Sequence, residues 1–164
     1  MKKILKTLLI IIVVALILIQ FIRPHRNAGE EIASSQITAV HQVPEDIQQI
    51  LKVSCYDCHS NTTYYPWYNK IQPVAWFLEK HVTEGKKELN FSEFASYATY
   101  RRYKKFKEIQ EQLKEDEMPL FSYTIIHRDA VLSAEQKSAL INWSAGAMKE
   151  MEAQYPADSL VRPK

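Results

Sequence analysis

The chain has 164 residues, 46% of them hydrophobic and 24% charged, with a formal net charge of +2. That length holds one small domain and an appendage. All nineteen acidic residues follow residue 29, whereas five of the twenty-one basic ones lie at or before Arg26; the remainder therefore carries −3 and offers no basic field for nucleic acid.

Lys2, Lys3 and Lys6 precede a run, Leu8 to Ile19, in which every residue is apolar. A basic start followed by an apolar stretch describes either a secretory signal or a signal anchor. Gln20-Phe21-Ile22-Arg23-Pro24 contains no small-x-small cleavage site, so the expectation is an uncleaved transmembrane helix over residues 1–23. This implies an inner-membrane, single-pass protein with its domain on the periplasmic side. Residues 24–43 are polar and aperiodic, and read as a linker.

Pro44, Glu45 and Asp46 suit a helix N-terminus, and Ile47, Ile50 and Leu51 give the helix one apolar face. It leads directly into Cys55-Tyr56-Asp57-Cys58-His59. Cys-x-x-Cys-His is the spacing that attaches haem covalently, with two thiols for the two vinyl groups and the adjacent imidazole for the iron. A thioredoxin-like dithiol expects a βαβ setting, which this sequence lacks. Zinc expects about four ligands, which would have to be completed by His81 or His127.

The aromatic, turn-rich stretch from Ser60 to Lys70 is expected to cover either haem or a small core. Pro73 opens a second helix with Val74, Phe77, Leu78, His81 and Val82 on one face and Gly85 as its stop. A short helical piece around Ser92–Tyr100 precedes a longer helix over about 101–115, whose Arg101, Arg102, Lys104, Lys105 and Lys107 read as a solvated face. A last helix starts at Ser133 in a capping box with Gln136 and carries Leu140, Ile141, Trp143 and Met148. The domain spans 44–152, with 153–164 as a tail.

A second axial ligand decides what such a haem does, because a six-coordinate iron passes electrons and a five-coordinate one binds small molecules. Met118, in Glu117-Met118-Pro119-Leu120, either ligates iron from a rigid loop or fills a gap in the core. His81 and His127 are alternative distal ligands, whereas Met148 and Met151 belong to a helix core.

The string CYDCHSNTTYYPWYNKIQPVAWFLEKHVTEGKKELNFSEF, together with MPLFSYTIIHRDAVLSAEQKSALINW, resembles the small haem-binding domain family of exported bacterial monohaem c-type cytochromes. The order of Cys-x-x-Cys-His, a late Met-Pro and a terminal helix is also similar to class I cytochromes c. The resemblance implies an all-α, cytochrome c-like domain around one covalent haem c. It also implies Cys55 and Cys58 as attachment points, His59 as proximal ligand and Met118 as distal ligand. The expected protein is an electron carrier, not an enzyme, that relays single electrons between redox partner proteins. Its rivals are a five-coordinate haem peroxidase or gas sensor, and a zinc or thiol-redox module without haem.

Overall fold

The computed structural model describes residues 1–163, and every regular element among them is helical. In chain order these are α1 (Lys2–Ile19), α2 (Glu45–Ser54), α3 (Tyr56–His59), α4 (Val74–Glu88), α5 (Thr99–Lys114), α6 (Phe121–Thr124) and α7 (Ala134–Gln154), joined by short 3-10 turns. Extended pairing is confined to a single bridge between Ala28 and Thr62.

The all-helical expectation is met, but the membrane-spanning helix that was to precede the domain is not. Among the described residues no helix is long and apolar enough to cross a membrane. α1 is 18 residues long, begins at Lys2 and takes Lys2, Lys3 and Lys6 into the helix itself. The unbroken apolar run from Leu8 to Ile19 rises only about 18 Å, short of a hydrocarbon core of about 30 Å. Beyond Ile19 the helix ends, and Gln20 and Ile22 are hydrogen-bonded to the domain. The Gln72 side chain donates to the Ile22 carbonyl at 2.8 Å and Trp76 Nε1 donates to the same carbonyl at 3.1 Å, while Gln20 accepts from the Gln72 backbone N–H at 2.9 Å. This overturns the expected transmembrane helix over residues 1–23 and, with it, the inner-membrane, single-pass, periplasm-facing localisation.

The core forms where α2, α5 and α7 meet. Leu51 from α2, Phe106 from α5 and Leu140 and Met151 from α7 are buried together with Phe94 from the 3-10 turn Phe91–Ser96. Phe94, Phe106 and Trp143 make successive aromatic contacts, with ring centroids 5.2 and 5.5 Å apart. Ile37 and Val43, from the stretch read as a linker, are also buried in this core. The capping box is present as expected: Ser133 Oγ accepts from Gln136 N, and the Gln136 side chain accepts from Ser133 N.

One local expectation fails. Gly85 does not stop α4, which continues to Glu88. The short helical piece expected around Ser92–Tyr100 is present as the 3-10 turn Phe91–Ser96, and α5 follows from Thr99.

His41 stands edge-on to Phe94 and Phe106, with centroids 6.0 and 4.8 Å away. Burial, followed by the Arg102 charge, lowers its pKa from 6.5 to about 4. Between those values the unfolded chain takes up a proton that the folded one refuses, so this contribution to stability is complete above pH 6.5 and is lost as the pH falls towards about 4. The urea midpoint of the wild type should therefore drop on acidification across this window, and His41→Leu should reduce that drop. Equal pH dependence in the two proteins would show that His41 is not responsible.

Candidate functional site

Cys55 is the junction between two helices, closing α2 and opening α3. Its carbonyl accepts from Cys58 N at 3.2 Å and from His59 N at 2.9 Å, so a single turn presents both thiols and the imidazole. The thiols are not bonded to each other. Burial pushes the Cys55 thiol up to about 12 and Cys58 up to about 11, with smaller contributions from the neighbouring Cys58 and Asp57 charges respectively. Both remain protonated at neutral pH, the reverse of the depressed pKa that activates a thiol-exchange centre. Among the described residues no three His, Cys, Asp or Glu side chains converge as metal ligands, so the zinc reading finds no ligand set.

His59 Nδ1 donates to the Leu89 carbonyl at 2.9 Å. A carbonyl only accepts, so this bond fixes the proton on Nδ1 and leaves Nε2 as the ring nitrogen able to coordinate. Burial lowers the imidazole pKa, opposed by the Leu89 and Gly85 carbonyls and reinforced by the charge of Lys105. The neutral form is the one that binds metals.

Gly85 explains how α4 comes so close. A Cβ built there would lie 2.8 Å from the Cys58 carbonyl oxygen and 3.1 Å from Cys58 Cβ. Only a residue without a side chain lets the C-terminal half of α4 lie on α3 and place the Leu89 carbonyl under His59.

In front of this turn lies a cavity of about 470 Å³, within the roughly 300–1,000 Å³ of small-molecule and cofactor pockets. Its walls include Leu51, Phe91, Leu113, Leu132 and Leu140, and Cys55, His59 and Met118 also face it. An adjoining cavity of about 300 Å³ shares Cys55, His59 and Met118 and adds Cys58, His81 and Tyr123. Met118 thus shares both spaces with His59.

The other two proposed distal residues are placed differently. His81 lines only the second cavity, and its Nδ1 donates to the Phe77 carbonyl at 2.7 Å. His127 lines neither; its Nε2 is hydrogen-bonded to the Tyr68 hydroxyl at 2.7 Å and its ring stacks on Tyr123 at 4.2 Å. Met148 accepts from Gln110 Nε2, and Met151 is buried in the core.

Asp57, an interior residue of the motif, ties α3 to two neighbours. Its carboxylate accepts from Tyr64 N at 3.0 Å and from the Tyr123 hydroxyl at 2.8 Å. Burial, then this hydrogen bond, raises the Tyr123 pKa and keeps the phenol a donor. The aromatic block does not wrap the large cavity: Tyr64 and Trp67 are 82% and 74% exposed. Sequence reasoning also missed Lys105, which is only 6% exposed and lines the large cavity. Nothing in the charged run Arg101–Lys107 distinguishes it from its solvated neighbours.

Residues 14–146 match the family described as a haem-binding domain. The chain belongs to the haem-binding domain family. No curated protein and no solved structure matches it. A haem fits the residues present: the apolar walls suit a porphyrin, and an imidazole whose Nδ1 is held by a carbonyl lines the same cavity as a methionine thioether.

A glycine inside a helix ordinarily gains about 0.5–1 kcal/mol on replacement by alanine. Gly146 in α7 has nothing within 4 Å of its added Cβ, so Gly146→Ala should raise the urea midpoint. Gly85→Ala should lower it and reduce haem loading, because the new methyl group collides with Cys58. Stabilisation by both variants would show that the α3–α4 approach is not tight.

Proposed function

We propose that this haem-binding domain is a monohaem c-type cytochrome that transfers single electrons between redox partner proteins. The reading is supported by one observation above all: Cys55, His59 and Met118 line the same cavity, and Cys58 joins them in the adjoining one. Membership of a haem-binding family is consistent with a non-enzymatic haem carrier.

In this reading Cys55 and Cys58 supply the thiols whose S–H bonds add across the two vinyl groups, giving thioethers with no change of oxidation state elsewhere. Their protonated, unpaired condition suits that addition. The Leu89 carbonyl holds the His59 ring with Nε2 available as proximal donor, and by accepting from Nδ1 it raises the basicity of the coordinating nitrogen. Met118 is the distal donor. A thioether is a soft ligand that stabilises the ferrous state and raises the reduction potential, and a second protein ligand closes the site to small molecules. The bound haem supplies the chemistry, a one-electron exchange between ferrous and ferric iron.

Asp57 links the two sides. It sits between the cysteines and holds Tyr123, which follows Met118 and Pro119 by only a few residues. The distal loop and the proximal turn are therefore braced against each other, which limits rearrangement of the ligands when the iron changes charge.

Produced with cytochrome maturation machinery, the wild type should carry haem that survives denaturation and adds to the mass of the polypeptide. Its optical spectrum should be low-spin in both oxidation states. Met118→Ala should become high-spin and bind carbon monoxide promptly when reduced, with a lower potential. A low-spin spectrum and unchanged potential in that variant would remove Met118 as ligand. The bare apoprotein mass in the wild type would remove the covalent attachment.

A further inference from the structure

Lys105 is the only lysine or arginine in the wall of the large cavity among the described residues. Its side chain is 8% exposed, and Nζ lies 2.6 Å from Glu108 Oε2 and 3.6 Å from Glu88 Oε2. Withdrawing an ammonium from water costs several kcal/mol unless it is paired, yet Lys104 and Lys107 on the same helix keep their side chains about two-thirds exposed. Lys105 alone is turned inwards, in a cavity whose other walls are largely apolar.

The carboxylates around Lys105 are not held as it is. The Glu88 side chain is 73% exposed. Glu108 has a second cation available, since its Oε1 already lies 3.0 Å from Lys104 Nζ. Both can turn towards solvent, and Glu108 remains paired when it does. The stem of Lys105 is enclosed and cannot follow them. An incoming carboxylate can therefore replace Glu108 at Lys105 without orphaning any charge. Neither arginine of the same helix lines the cavity; Arg101 lies over the Tyr97 ring.

We propose that Lys105 is the cavity's carboxylate anchor, a site that takes a propionate side chain of the porphyrin in exchange for Glu108. This rests on the haem reading of the cavity and goes beyond it by assigning the porphyrin's acidic edge to α5. It also accounts for the one charged side chain that α5 buries.

The test uses the full chain produced without maturation machinery, so that no covalent haem fills the cavity, and two probes, ferric mesoporphyrin IX and its dimethyl ester. Both lack vinyl groups and so bind without forming thioethers, and they differ only in the carboxylates. Wild type should bind the free acid about tenfold or more tighter than the ester, the discrimination expected of a charge-assisted hydrogen bond in a sheltered site. Lys105→Met should lose that preference or reverse it, because Glu88, Glu108 and Glu111 then face the carboxylate alone, while binding the ester as wild type does. Lys105→Arg should retain the preference. Glu108→Gln keeps the anchor and removes its competitor, so it should bind the free acid more tightly than wild type does; this readout does not depend on the Lys105 variants folding. Equal affinity of wild type for acid and ester would overturn the anchor while leaving the haem site standing. A wild type that binds neither probe yet carries covalent haem when matured would overturn the anchor alone, and one that does neither would overturn the haem reading and the anchor with it.

Discussion

The arrangement depends on how closely α4 lies on the single turn of α3. Gly85 has no side chain to separate the two backbones, so the carbonyl at the end of α4, on Leu89, reaches His59 Nδ1. That hydrogen bond settles the tautomer and orientation of the imidazole before any ligand arrives. A methyl group at residue 85 would force the helices apart at the point where the cysteines and the histidine are presented. The presentation of the imidazole is thus a property of two packed backbones as much as of the pentapeptide.

Around this clamp the cavity combines three kinds of wall. Leucines and Phe91 from the core supply the apolar faces, Cys55, His59 and Met118 supply donors, and α5 supplies a charged strip of Glu88's partner Lys105 with Glu108. Such a division suits a ligand that is flat and apolar at its centre and anionic at one edge. Asp57 adds a brace between the proximal turn and the segment after Met118 through the Tyr123 hydroxyl. A residue between the two cysteines therefore also fastens the segment that follows Met118.

α1 shows how an apolar count misleads when it is detached from geometry. Three lysines lie inside the helix, and beyond its end the Ile22 carbonyl accepts from Gln72 and Trp76. Summed along the chain, these residues resemble a membrane span; divided between a short helix and a docked loop, they do not form one. The stretch after them contributes Ile37, Val43 and His41 to the core region. Aperiodic sequence concealed this contribution because isolated buried residues in 3-10 turns leave no repeat to detect.

The sequence alone determined what depends on neighbours in the chain: the all-helical class, the Ser133–Gln136 capping box, the helix after Pro73, and the joint presentation of Cys55, Cys58 and His59 within one turn. Each follows from bonds spanning three or four residues, and such bonds are written in local spacing. Only the tertiary structure decided that Gly85 serves contact and not termination, that the Leu89 carbonyl orients His59, that Met118 shares both cavities with His59 while His127 is paired with Tyr68, and that Lys105 faces inwards from a charged helix. A backbone carbonyl has no signature in sequence, and which lysine of a run is buried depends on the rotation of α5 against α7, which the packing of distant residues sets.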